Sequence, residues 1–198
     1  MTKFYFVRHC ESEMNVRPDL VGGRSNHAPA TERGVHQARL LGEYLQNTGL
    51  VPDLIFSSGA VRTNTTARVA LETAGISQQI IEDTRLQELS QGNYEGADRS
   101  LAYTLANRRA YRIDDIDGKF PGGESIRDVQ LRTRHFIDDM HQRHPDATIL
   151  LFGHGLAIRA LVGELLGLDK QTLLKLETDN VSMTLIETTA EIGRASCR

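Results

Sequence analysis

K-F-Y-F-V-R-H-C-E-S-E-M-N, residues Lys3 to Asn15, sets the fold. Phe4, Tyr5, Phe6 and Val7 suit a strand buried on both faces, and they run without a turn into Arg8 and His9. A strong cation and a titratable imidazole therefore stand where a strand ends. In an open parallel sheet ligands bind beyond the carboxyl ends of the strands, so position alone makes this junction a candidate active site.

Two later stretches repeat the arrangement. Leu54, Ile55 and Phe56 read as a short buried strand, followed by Ser57-Ser58-Gly59 and a helix to about Ala74 with Arg62 in its first turn. T-I-L-L-F, Thr148 to Phe152, runs into Gly153-His154-Gly155 and a helix carrying Ile158, Leu161, Val162, Leu165 and Leu166. Around these, Thr31 is suited to cap a helix over Glu32 to Asn47 that Gly49 ends. Ile80 and Ile81 suggest a further short strand, and Ser125 with Asp128 resembles a capping box for a long helix stopped by Pro145. Ser182 to Thr188 alternates as an antiparallel or edge strand. Ser12 to Pro29 reads as a loop over the sheet edge. Glu88 to Gly123, with a weakly amphipathic stretch over Asp98 to Arg112, reads as an insertion or lid. Alternating strands and helices predict one domain over residues 1–190, a three-layer α/β/α sandwich with a mostly parallel sheet. Glu191 to Arg198 has no element pattern, resembles a vector-encoded remnant and is left out of the expected fold.

Composition removes several classes of function. The 198 residues are 39% hydrophobic and 25% charged, which is ordinary globular usage. A net charge of −3 without a Lys/Arg run argues against nucleic acid or an anionic membrane as the main partner. No apolar run reaches the ~20 residues that span a bilayer, and the amino-terminal stretch enters a strand at once, so a cytoplasmic protein is expected. Cys10 and Cys197 lie at opposite ends and are expected to be free thiols.

Three strand ends thus offer Arg8 and His9, Ser57 and Ser58 with Arg62, and His154 between two glycines. Two guanidiniums, two imidazoles and at least two helix N-termini at one sheet edge would make a cavity for a multiply charged oxyanion, and phosphate fits. A neutral imidazole can accept a phosphoryl group, and a carboxylic acid can protonate a leaving alkoxide. Glu88, Glu11 and Glu95 are the carboxylates to weigh for that second role. Cys10 as a thiolate nucleophile is a poor alternative. Glu11 and Glu13 would raise its pKa, and six residues, not five, separate it from Arg17. His141 and His144 share a helix face without a third ligand and are read as solvated, not as a metal site.

R-H-C-E with Asn15 resembles the R-H-G-E signature of the histidine phosphatase superfamily, the phosphoglycerate mutase-like group. T-E-R-G-V-H-Q-A (Thr31 to Ala38), S-S-G-A-V-R (Ser57 to Arg62), L-Q-E-L-S-Q-G-N-Y-E-G (Leu86 to Gly96), P-G-G-E-S (Pro121 to Ser125) and F-G-H-G (Phe152 to Gly155) are similar to its later motifs, in order. The resemblance implies a phosphoglycerate mutase-like fold with His9 as the phosphoryl-accepting nucleophile and Glu88 as general acid and then base. It also implies that Arg8, Arg62 and His154 bind phosphoryl oxygens, that Asn15 assists, and that Gly155 leaves space beside His154. No metal and no cofactor are implied. Where the family has Gly after the nucleophile, this chain has Cys10; a positive φ there would strain it, and a thiol so placed is expected to add oxidation sensitivity.

The expected activity is metal-independent hydrolysis of a small phosphorylated metabolite through a phosphohistidine. Only 35 residues separate Glu88 from Glu124, and this compact insertion favours hydrolysis over a mutase reaction. The alternatives are a phosphoglycerate mutase and a catalytically weak module that binds phospho-ligands, with a homodimer left open. Arg24, Arg99, Arg108, Arg109, Arg112 and Lys119 are the cations available to a second anionic group on the substrate.

Overall fold

The computed structural model describes residues 1–188 and the backbone of Arg194–Cys197. The strands are β1 (Thr2–Arg8), β2 (Leu54–Ser57), β3 (Ile80–Glu82), β4 (Thr148–Gly153), β5 (Met183–Thr188) and β6 (Arg194–Cys197). The helices are α1 (Glu32–Thr48), α2 (Val61–Ala74), α3 (Arg99–Ala102), α4 (Leu105–Ala110), α5 (Ile126–Arg143), α6 (Gly155–Leu166) and α7 (Lys170–Lys175). One sheet has the order β3-β2-β4-β1-β5-β6. The first four in that order run parallel, while β5 is antiparallel to β1 and β6 to β5. The expected mostly parallel α/β/α sandwich is the observed one. The tail corrects the sequence reading at one point: Arg194–Cys197 pairs outside β5 as the outer strand, so β5 is not the edge. Residues 191–193 and 198 of that tail lie outside the described residues.

The two-residue period of the strands divides the apolar core into two layers. Phe4, Phe6, Ile149 and Leu151 face α5 and α6, meeting Phe136, Ile137 and Leu161. Val7, Leu150 and Phe152 point the other way, onto Leu41 and Leu45 of α1 and Ala67 and Leu71 of α2. Strands covered on both faces must be apolar at every position, which is why T-I-L-L-F reads as a continuous run. Each Leu or Phe buried this way contributes about 1.5–3 kcal/mol, and together they fix β1 and β4 at the centre.

Local signals set the helix ends. Thr31 Oγ1 accepts from Gly34 N, and Gly49 closes α1 at φ 65. Gly34 also has a packing reason, since a Cβ there would lie 2.0 Å from the Glu11 carbonyl oxygen; α1 therefore rests its first turn on the chain leaving β1. Ser125 and Asp128 form the reciprocal capping box. His141, read as solvated, instead meets the hydroxyls of Thr2 and Thr188 at 2.8 and 3.0 Å and ties α5 to the outer ends of β1 and β5.

The Glu88 to Gly123 segment and the Ser12 to Pro29 loop form one lobe. Leu20 bridges Asp98, Val21 N donates to Ala97 O, and Val21 packs with Ala102 and Phe120 under Tyr94, Tyr103 and Tyr111. The single weak helix expected over Asp98 to Arg112 is two short ones, because Thr104 interrupts it and accepts from Asn107 N to start α4. α7 had no sequence counterpart; Asp169 caps it.

Candidate active site

A cavity of about 860 Å³ opens beyond the carboxyl ends of β1 and β4. Arg8, His9, Asn15, Arg62, Glu88 and Gly155 line it, so chain segments far apart in sequence meet there. His154 belongs to the same cluster but stands behind the wall, fully buried, with its ring edge-on to His9 at a centroid distance of 5.2 Å.

The bonds of His9 define its chemical state. Nδ1 lies 2.7 Å from the Cys10 carbonyl oxygen, which can only accept, so the proton is on Nδ1 and Nε2 keeps its lone pair. Burial, then the nearby Arg62 charge, push the His9 pKa down to about 3. The ring is thus neutral at ordinary pH, the form a nucleophile needs. Its backbone is held as firmly: His9 N donates to Gly153 O, and Asn180 Nδ2 donates to His9 O at 2.8 Å.

A cation in a first helical turn opposes the helix dipole, so Arg62 needs acceptors close by. Carbonyl oxygens do part of that work. Its Nη1 donates to Ser25 O at 2.8 Å and its Nη2 to Arg24 O at 2.9 Å. Ser25 presents its carbonyl from φ 30, a strained backbone of the kind found at functional sites. Arg62 Nη2 also approaches His154 Nδ1 at 3.0 Å. Since guanidinium only donates, His154 Nδ1 accepts and its Nε2–H points to Ser58 Oγ, 2.8 Å away. Both nitrogens of His154 are therefore engaged within the protein.

Arg8 donates through Nη1 to Thr178 O, while its buried Nε has no hydrogen-bond partner among the described residues. A buried cationic donor without an acceptor is costly, and an anion in the cavity would satisfy it. Gly155 makes room for this side chain: a Cβ at 155 would lie 3.2 Å from Arg8 Nε and 3.1 Å from Thr178 Oγ1. The space it leaves is occupied by Arg8 and Thr178.

Geometry separates the three carboxylates. Glu11 accepts from Thr31 Oγ1 and pairs with Arg33, fastening α1. Glu95 accepts from the backbone N–H groups of Arg24, Ser25 and Gln91 and holds two loops together. Of the three, only Glu88 lines the cavity. It also caps α6, one of the helix N-termini at this edge: Oε2 accepts from Leu156 N and Oε1 from Ala157 N, both at 3.1 Å. The Glu88 backbone is clamped in turn. Arg132 donates to Glu88 O at 3.1 Å and Arg85 O at 2.7 Å while forking onto Glu124. Burial would raise the Glu124 carboxyl, but Arg132's hydrogen bonds and charge outweigh it and hold the group below its ordinary range.

Asn15 lines the cavity from an exposed turn, its Oδ1 accepting from Ser12 N and Oγ at 3.0 Å. Cys10 is not among the residues with positive φ, so glycine is not required there. Its thiol is fully buried and burial raises its pKa, which works against the expected oxidation sensitivity. Sequence reasoning missed Arg159, Asn180 and the segment from Leu174, at the end of α7, to Asp179, which complete the site. One signal could have found them: a strand antiparallel to β1 must begin beside the end of β1, so the residues before β5 lie at the active edge. Val181, at φ 57, makes that turn and donates to Arg8 O at 3.0 Å. Five of the six cations nominated for a second anion are engaged within the protein. Arg24 pairs with Glu124, Arg108 with Asp114, Arg112 with Asp115 and Lys119 with Asp128, while Arg99 lies over the Tyr103 ring.

This arrangement agrees with what the whole chain resembles. The histidine phosphatase superfamily (branch 1) profile matches residues 4–196, and the chain belongs to that family. Among curated proteins it is 30% identical over 191 residues to a probable phosphoglycerate mutase GpmB of Photorhabdus laumondii, covering 94% of this chain and 85% of the relative. It is equally 30% identical, over 196 residues, to phosphoserine phosphatase 1 of Hydrogenobacter thermophilus, covering 94% and 86%. Among solved structures, a mycobacterial glucosyl-3-phosphoglycerate phosphatase in complex with VO3 superposes with a TM-score of 0.81 at 28% identity, covering 98% of this chain and 97% of that one.

Among the described residues no helix is long and apolar enough to cross a membrane.

Proposed function

We propose that this enzyme hydrolyses phosphomonoesters through a phosphohistidine at His9. The observation that carries the reading is the His9 tautomer, whose Nδ1–H is spent on Cys10 O and whose Nε2 lone pair is left on the cavity. In the first step Nε2 attacks phosphorus, the bond from phosphorus to the ester oxygen breaks, and protonated Glu88 gives its proton to the departing alkoxide. To carry that proton, one Glu88 oxygen lets go of its α6 N–H. In the second step Glu88 takes a proton from water, the water oxygen attacks phosphorus, and the P–N bond breaks to release inorganic phosphate and the free imidazole. Arg8 and Arg62 bind the phosphoryl oxygens throughout, with Asn15 assisting and His154 holding Arg62. Charge spread over the equatorial oxygens is what these guanidiniums stabilise.

Support comes from the relatives named phosphatases, and from the ordinary backbone at Cys10, which lets a side chain stand beside the nucleophile without backbone strain. One observation favours a second reading, a mutase: the resemblance to a probable phosphoglycerate mutase. The soluble, cofactor-independent chemistry suits the cytoplasm. The test is phosphate release from p-nitrophenyl phosphate in EDTA by wild type and His9→Ala, run beside isomerisation of 3-phosphoglycerate with and without bisphosphoglycerate. Turnover that disappears in the variant supports hydrolysis; isomerisation exceeding hydrolysis by orders of magnitude overturns it in favour of the mutase.

A further inference from the structure

A second cavity, of about 400 Å³, adjoins the catalytic one, and Leu89, Gln91, Leu156 and Leu174 border both. Beyond that shared wall it continues over Tyr103, Phe120 and Ile126. Its charged neighbours are already matched. Arg108 pairs with Asp114, Lys119 with Asp128 at 2.9 Å, and Glu124 with Arg132 at 2.9 Å. Lys170 Nζ donates to the carbonyl oxygens of Ile113 and Asp115, both at 2.6 Å. A second phosphate or carboxylate placed here would have to compete with these bonds, whereas an apolar group would displace only water from leucine and aromatic surface.

We propose that this cavity seats the leaving group, and that the substrate is a phosphomonoester of an uncharged, largely apolar or aromatic alcohol. The inference rests on the hydrolase reading above and narrows its substrate class. Leu89, Leu156 and Leu174 line the catalytic cavity together with His9 and Glu88 and also line the second cavity, so an alcohol carried along that shared wall reaches the second cavity.

The test compares two alkyl esters, phenylpropyl phosphate and 3-phosphoglycerate, so that leaving-group chemistry is matched. Wild type is expected to show kcat/KM about tenfold or more higher for phenylpropyl phosphate. Ile113→Asp, which sets a charge on the second cavity alone, should erase that advantage through KM, and Ile113→Leu should keep it. Equal or better turnover of 3-phosphoglycerate by wild type, or an advantage that survives Ile113→Asp, overturns the proposal. If neither ester is hydrolysed, the hydrolase reading fails, and calorimetry on wild type decides the cavity separately. Phenylpropylphosphonate binding about tenfold tighter than methylphosphonate sustains the apolar site, and equal affinities reject it.

Discussion

The two adjoining cavities are built in opposite ways. The catalytic one is made where β1 and β4 end, from charged and titratable groups whose every bond is directed, down to the tautomers of His9 and His154. The second is made by the lobe and by α7, from leucines and aromatic rings, with its charges held by partners within the protein. Chemistry needs fixed dipoles aimed at developing charge, and recognition of an apolar group needs only shape and dryness. Substitutions in the first should therefore change rates by orders of magnitude, and in the second mainly the choice of substrate.

His9→Ala draws that contrast most sharply. Loss of the nucleophile should lower kcat about 10⁴-fold or more for every ester, measured by phosphate release, with the fold unchanged by circular dichroism. Activity retained within tenfold would remove His9 from the mechanism. Glu88→Gln should come next, with kcat down about 10²–10³-fold for alkyl esters and far less for p-nitrophenyl phosphate, whose leaving group needs no proton. Equal losses on both esters would assign Glu88 a structural role as the α6 cap.

Arg132→Lys touches neither substrate nor nucleophile. A single ammonium cannot fork onto Glu124 and also reach the carbonyls of Arg85 and Glu88, so alkyl-ester turnover should fall about tenfold through misplacement of Glu88. The same leaving-group comparison separates this from general destabilisation, which would lower both rates alike.

Acid should unfold the protein partly through His9. Its folded pKa, about 3, lies below its ordinary 6.5, so the unfolded chain binds the extra proton first. The stability that His9 lends is complete above about pH 6.5 and is lost as pH falls towards 3; urea midpoints should decline over that window, less steeply in His9→Asn. The smallest effect belongs to Cys10→Gly, which should cost about 1 kcal/mol and leave kcat within about threefold. Wild-type activity should also be the same with and without mild peroxide, because the thiol is sealed.

The contrast also explains what was legible in the sequence. Arg8, His9, Arg62 and His154 sit at strand-to-helix junctions, where the change of period from two to 3.6 marks a sheet edge. The motif order then brought Glu88 and Asn15 to the same edge. The second cavity had no such signature, because Leu89, Tyr103, Ile126 and Leu174 come from four stretches with no common spacing. Pairings were equally hidden. Arg24, Arg108 and Lys119 read as free cations until their acidic partners came into contact. Nor could Glu88 be recognised as a helix cap from either end of the chain that it joins.

The missing side chain at Gly155 has a consequence for inheritance. A Cβ at 155 would press on Arg8 Nε and Thr178 Oγ1 at 3.2 and 3.1 Å, so positions 8 and 155 are coupled through that contact. A lineage that acquired Ala at 155 would have to let Arg8 and Thr178 give by a few tenths of an ångström. The first and last motifs of this chain are thus linked in what each can tolerate, whatever alcohol the enzyme comes to release.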